Sequence, residues 1–194
     1  MADRVAILLA AGVSSRMNTK LPKVLHEVTG RPMLAYVLDA CRSVGVEKIY
    51  VVVGFGADQV QERFRGASDI VWVEQSEQKG TAHAVGCCKE HIKDFKGETL
   101  VLCGDGPLIR AKTLQTLIDK HQAEHSAATL ATAVLDDPTG YGRIVRDAYG
   151  NIQGIVEDSD CSPAQKAICE VNPSYYLFNN QALFSALEQV KPDN

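Results

Sequence analysis

The loop Leu9-Ala10-Ala11-Gly12-Val13-Ser14-Ser15-Arg16-Met17, with Leu21-Pro22-Lys23 three residues further on, combines small residues with the cations Arg16 and Lys23. Small residues let backbone N–H groups come close to phosphate oxygens. Arg16 offers a fork that matches a phosphate, and Lys23 adds a mobile point charge. Farther along, Gly104-Asp105-Gly106-Pro107 places a carboxylate in a turn, and a carboxylate is a ligand for hard cations. Each residue of the first loop taken singly reads as part of a solvated loop; Asp105, just past a buried strand, faces the ligand edge of a sheet. Together they make a set suited to polyphosphate chemistry. Two other phosphate loops are excluded. No Gly-x4-Gly-Lys-Ser/Thr run is present, and Gly54-Phe55-Gly56-Ala57-Asp58-Gln59 has Gln59 where a dinucleotide fingerprint needs its third glycine.

These residues need a scaffold, and the apolar periodicity supplies one. Arg4 to Leu9 is a continuous apolar run ending at Gly12, as in a central parallel strand. Met33 to Val44 carries Leu34, Val37, Leu38, Cys41 and Val44 on one helical face, and Gly45 stops it. Strands are expected at Lys48 to Val53, Ile70 to Val73, Thr99 to Cys103, Ala127 to Val134 and Glu170 to Phe178. Helices are expected at Asp58 to Arg65, Thr81 to His91, Ala111 to His125 and around Leu183 to Val190. Gly142 to Arg146 and Ile152 to Glu157 flank Tyr149-Gly150-Asn151, a hairpin with a glycine turn. Alternating strands and helices predict an α/β fold: a doubly wound, mostly parallel, Rossmann-like sheet with a β-hairpin insertion. In such sheets ligands sit at the carboxyl ends of the strands, where Gly12 and Asp105 fall.

The 194 residues suit one domain, residues 1–194, with an ordinary 45% hydrophobic and 23% charged composition. The net charge of −4 argues against a general nucleic-acid or anionic-membrane binder, which needs a basic face. No apolar stretch approaches a membrane span. Asp3 and Arg4 cancel at the start, where a signal peptide would be basic. The six cysteines (Cys41, Cys87, Cys88, Cys103, Cys161 and Cys169) form no CxxC pair and read as thiols in a reducing, cytoplasmic setting. His121 and His125 lie one helical turn apart without a ligand partner at metal spacing, and a solvated helix is the expectation for them. Cys87-Cys88 reads as helix packing.

The loop Leu-Ala-Ala-Gly-x3-Arg-Met-x3-Leu-Pro-Lys resembles the signature of the nucleotidylyltransferases that activate sugar phosphates. Gln75 with Gly80-Thr81-Ala82-His83-Ala84, and Gly104-Asp105-Gly106-Pro107-Leu108-Ile109, match two further motifs. Asp136 to Val145, followed by Gly154-Ile155-Val156-Glu157, narrows the likeness to the uridyltransferase domains of bacterial UDP-N-acetylglucosamine synthesis. The resemblance runs from about Val5 to Asn172. It implies that Leu9, Ala10, Ala11 and Gly12, with Gln75, Gly80, Thr81, Cys103 and Gly104, hold the nucleotide. It implies that Arg16 and Lys23 bind the triphosphate, that Asp105 ligates Mg²⁺, and that Gly142, Glu157 and Asn172 contact the sugar. The reaction so implied joins UTP to a sugar 1-phosphate and expels pyrophosphate, with no protein nucleophile. The expected partners are therefore these small molecules, with neither nucleic acid nor membrane.

Two departures from the family stand out. The family follows the asparagine at 172 with a small hydroxyl residue and glycine, whereas this chain reads Asn172-Pro173-Ser174-Tyr175-Tyr176. Proline fixes φ, and tyrosine adds bulk beside the expected sugar contacts. The family's domain also continues past the position of Asn194 with a segment carrying a second metal ligand, and its bifunctional members add a left-handed β-helix acetyltransferase domain. The expectation is a domain truncated at its C-terminus, without acetyltransferase activity.

Overall fold

The computed structural model describes residues 3–13 and 19–190. In chain order the elements are β1 (Arg4–Ala10), β2 (Glu27–Val28), β3 (Arg31–Pro32), α1 (Met33–Ser43), β4 (Lys48–Val53), α2 (Ala57–Arg63), β5 (Ile70–Glu74), α3 (Thr81–Gly86), α4 (Lys89–Ile92), β6 (Glu98–Cys103), α5 (Ala111–Ala123), β7 (Ala128–Leu130), β8 (Ala133–Val134), β9 (Gly142–Arg146), β10 (Ile152–Val156), α6 (Pro163–Lys166), β11 (Glu170–Asn172), β12 (Tyr175–Asn179) and α7 (Asn180–Leu187). The chain divides into two compact units, Met1–Thr129 with Tyr176–Asn194, and Leu130–Tyr175.

The first unit is built on a six-stranded sheet of order β5-β4-β1-β6-β12-β7. β1 runs parallel to β4 on one side and to β6 on the other, and β4 runs parallel to β5. The chain therefore winds outward from β1 to β4 and β5, then returns across β1 to β6. That reversal makes the carboxyl ends of β1 and β6 a topological switch point. Ile7, Leu8, Val51, Val52, Leu100 and Leu102 are fully buried. A central parallel strand covered on both faces must be apolar throughout, hence the unbroken runs in the sequence. Val5 and Ile7 pack with Ala84 and Val85 of α3 and with Leu183 and Phe184 of α7. Successive side chains on a strand alternate, so Ala6 and Leu8 face the opposite side. α1 packs against α5, and each buries an apolar stripe: Leu34, Val37, Leu38 and Cys41, then Leu114, Leu117 and Ile118.

At the amino ends of β1 and β6 the core contains charge. Arg4 donates to Glu98 Oε2 through Nε at 3.0 Å and Nη2 at 2.8 Å, and to the Val44 carbonyl at 2.9 Å. Gln122 donates to the other carboxylate oxygen at 2.8 Å. Both charges are buried, so each depends on its partner; removing one side of such a pair costs about 3–5 kcal/mol.

Four sequence expectations change in the structure. The expected strand from Glu170 to Phe178 is two strands in different sheets, β11 and β12. Pro173 has no N–H for a ladder, Ser174 adopts φ +63°, and its N–H is taken by Asn172 Oδ1 at 3.0 Å. The expected strand from Ala127 to Val134 likewise splits into β7 and β8, again in different sheets. The expected helix from Thr81 to His91 breaks after Gly86 into α3 and α4. His121 is buried rather than solvated. Its Nδ1 lies 2.8 Å from Thr129 Oγ1, and burial lowers its pKa.

The second unit is a four-stranded sheet, β10-β9-β11-β8, antiparallel at every step. β9 and β10 are the predicted hairpin. Asp147 holds its turn by accepting from the N–H groups of Tyr149 and Asn151, both at 2.9 Å, with Gly150 at φ +87°. Among the described residues, no helix is long and apolar enough to cross a membrane.

Candidate functional site

In the first unit, four strand ends converge and are pinned to one another. Leu9 pairs with Cys103, and Gly104 N–H donates to the Leu9 carbonyl at 2.9 Å. Ala10 pairs with Val53, and Gln75 N–H donates to the Val53 carbonyl at 2.8 Å. The Gln78 side chain reaches the Ala11 carbonyl at 2.9 Å, fixing the segment after β5 to the one after β1. The predicted residues Leu9, Ala10, Ala11, Gln75, Cys103 and Gly104 thus belong to one rim. Gly12 follows on this rim, exposed, with open space where a side chain would stand.

Three glycines are explained by close packing here. A Cβ on Gly104 would stand 3.1 Å from the Leu9 carbonyl oxygen, with Val24 and Leu34 3.3 Å away. A Cβ on Gly54 would meet the Ala11 carbonyl at 3.0 Å and that of Gln75 at 3.2 Å. Gly56 has φ +65° and lies against the Pro22 ring. Gly54 and Gly56, which mimic part of a dinucleotide fingerprint, are therefore required by the packing of this rim.

Lys23 opens a short 3₁₀ turn whose Val24 and Leu25 are buried, so apolar anchors carry an exposed lysine to the rim. Its ammonium forms an ion pair with Asp105, one residue beyond Gly104. The carboxylate is partly buried and the lysine more open, with 26% and 45% of their side-chain surfaces exposed. The cation and the carboxylate singled out in the sequence, 82 residues apart, are thus direct neighbours. Arg16 lies outside the described residues.

Gly80 and Thr81 begin α3 and, with His83, line an open depression of about 800 Å³ that continues along Phe184 and Leu187 of α7. Gln75 is 5% exposed. Its Nε2 lies 3.3 Å from the Gly80 carbonyl and 2.9 Å from His83 Nδ1. Sequence reasoning passed over His83 and Gln78. His83 sits inside a quoted motif, but nothing in the spacing shows that α3 turns it back towards the end of β5.

In the second unit Gly142, Glu157 and Asn172 come together. Gly142 pairs with Asn172 across β9 and β11. A Cβ on Gly142 would clash with Ile155 Cγ2 at 2.9 Å and crowd Glu157 Oε1 at 3.3 Å. Gly142 does not serve the hairpin turn. Arg143, 2% exposed, donates to Asp158 at 2.9 Å and to the Tyr141 carbonyl, clamping the chain on both sides of the Gly142–Glu157 contact. Its structural part was not legible in the motif.

The described thiols at Cys41 and Cys88 are pushed up to about 12 by burial, as expected of packing residues. Among the described residues no group of three His, Cys, Asp or Glu side chains forms a metal cluster.

A family model described as the MobA-like NTP transferase domain matches residues 6–193. The chain is 48% identical over 194 residues to the bifunctional protein GlmU of Geobacillus sp. (strain WCH70), covering all of this chain and 42% of that protein. It is 49% identical over 192 residues to the protein of the same name from Pelotomaculum thermopropionicum, covering 99% of this chain and 42% of that protein. The Listeria monocytogenes serotype 4a protein of that name is 47% identical over 194 residues. The chain thus spans about two-fifths of the length of the curated relatives it matches. A solved structure from Bacillus anthracis, named as a glucose-1-phosphate thymidylyltransferase in complex with a sucrose, superposes with a TM-score of 0.77. It covers 97% of this chain and 79% of the other at 19% identity, which establishes a shared fold.

Proposed function

Because this chain belongs to the MobA-like NTP transferase family, we propose that it transfers the uridylyl group of UTP to N-acetylglucosamine 1-phosphate and releases pyrophosphate. The observation that carries this reading is the Lys23–Asp105 pair at the switch point, beside the glycine-lined ends of β1 and β6. The identity of 47–49% across the chain to proteins named GlmU supports it, and the motif resemblance supplies the substrates.

An oxygen of the sugar phosphate attacks the α-phosphorus of UTP, and the bond to the bridging oxygen breaks as pyrophosphate leaves. The nucleophile is already anionic near neutral pH, so no general base is needed. The task is to bring two anions together and stabilise the departing charge, which is work for positioning and electrostatics. Lys23 and Arg16 neutralise triphosphate oxygens. Leu9 to Gly12, Gln75, Gly80, Thr81, Cys103 and Gly104 hold the nucleoside. Gly142, Glu157 and Asn172 hold the sugar.

Asp105 is a partly exposed carboxylate, and among the described residues no cage of acidic ligands surrounds it. That donor set fits Mg²⁺, which takes one or two carboxylates and completes its shell with phosphate oxygens and water. Bound there, Mg²⁺ would supply positive charge to the phosphates.

The test is pyrophosphate release measured across four nucleoside triphosphates and several sugar 1-phosphates, with and without Mg²⁺. UTP with N-acetylglucosamine 1-phosphate is expected to be fastest and to require Mg²⁺. Faster release from dTTP with glucose 1-phosphate would reject the substrates while sparing nucleotidyl transfer.

A further inference from the structure

The geometry around Gln75 assigns a part to a residue that the reaction as described leaves unused: we propose that His83 is a positioning residue that locks the Gln75 amide with its carbonyl outward, and so sets nucleobase preference. The inference rests on the reading that Gln75 faces the base of the nucleotide.

The Gly80 carbonyl, which also accepts Ala84 N–H at 3.2 Å, can only accept. The amide atom 3.3 Å from it must therefore be nitrogen. The same nitrogen lies 2.9 Å from His83 Nδ1. An amide nitrogen has two hydrogens and no acceptor lone pair, so Nδ1 must supply the lone pair and the ring proton must sit on Nε2. Both amide hydrogens are then engaged by acceptors. Gln75 Oε1 is left as the one polar atom of the side chain with no hydrogen bond to a described residue. Among the described residues, only His26 Nε2 and Arg143 Nε are buried without a partner, so this oxygen is open to a ligand.

An outward oxygen with both hydrogens turned inward is an acceptor of one sense. It matches a base that presents N–H, as uracil does at N3. It opposes cytosine, whose N3 is a lone pair. Without His83 Nδ1 the amide loses one of the two acceptors that define its orientation. A flipped amide would then lose only the bond to Gly80, and the site would tolerate either base edge. A site built to pair a polar group discriminates strongly because a wrong partner leaves that group unsatisfied.

The test compares wild type, His83→Ala and His83→Asn with UTP and CTP as competing substrates, with melting temperature as a fold control. His83→Ala is expected to lower the UTP:CTP ratio of kcat/KM by roughly tenfold, the scale of one hydrogen bond. His83→Asn puts a carbonyl acceptor near the Nδ1 position and is expected to restore the ratio. Nitrogen-15 NMR of the wild-type imidazole is expected to show Nδ1 unprotonated, a readout that needs no variant. Equal losses with both nucleotides in His83→Ala would overturn the proposal, as would an unchanged ratio, no rescue by asparagine, or a protonated Nδ1. A wild-type chain that turns over UTP and CTP equally would instead overturn the reading of Gln75 on which the proposal stands.

Discussion

Lys23 and Asp105 carry opposite charges side by side, and each has a different target in the proposed reaction. The lysine is suited to phosphate oxygens and the carboxylate to a hard cation. Their mutual ion pair is partly open to solvent, and such pairs contribute about 1 kcal/mol or less to stability. Lys23→Ala should therefore leave the melting temperature nearly unchanged while lowering kcat by about 10²–10³-fold, the usual effect of deleting one preorganised charge. Asp105→Asn should remove most Mg²⁺-dependent turnover, because a neutral amide is a poor ligand for a hard cation. Steady-state kinetics over a Mg²⁺ titration, with thermal melts of both variants, checks this. An Asp105→Asn chain with unchanged Mg²⁺ dependence would remove the carboxylate from the site. At this scale the sequence was informative, since the residue types named their own chemistry. What it lacked were the contacts made by long-range folding, such as Gln78 to the Ala11 carbonyl and Arg143 to Asp158.

Elements were legible where periodicity was long and illegible where the chain changes sheets. The buried strands at β1, β4 and β6 announce themselves because both faces are covered. The breaks between β7 and β8 and between β11 and β12 do not, since an apolar run says nothing about which sheet it joins. Only Pro173 hinted at the second break. His121 teaches the same lesson, for it sits on the apolar face of α5 with Leu114, Leu117 and Ile118 and is buried with them. Burial is the main cause of its lowered pKa; Glu98 opposes the shift and Arg4 adds to it. As pH falls below the usual 6.5, the unfolded chain takes up this proton before the folded chain does. The stability contributed by neutral His121 is thus full above pH 6.5 and lost as pH falls towards the folded value. The slope reaches at most about 1.4 kcal/mol per pH unit. Denaturant unfolding of wild type and His121→Gln between pH 8 and pH 5 should show wild type losing ground to the variant below pH 6.5. A difference independent of pH would contradict the account.

Across the whole molecule, the doubly wound sheet and the hairpin follow from patterning, and the chain's division into two units does not. The second unit is assembled from short strands of low periodicity, β8 to β11, whose pairing depends on partners up to 38 residues away (Ala133 with Val171). What the sequence did contain was the order β1, β4, β5, β6, and an α/β sheet wound outward and back has its ligand edge at the resulting switch point. The Lys23–Asp105 pair lies at that point. The central claim is therefore direct attack on the α-phosphorus of UTP at this edge, without a covalent protein intermediate. The measurement that tests it most directly follows the label from [α-³²P]UTP incubated with N-acetylglucosamine 1-phosphate and Mg²⁺. The account predicts that the label appears in the nucleotide sugar, with none in pyrophosphate and none on acid-quenched protein. Label retained on the protein, or found in pyrophosphate, would contradict it.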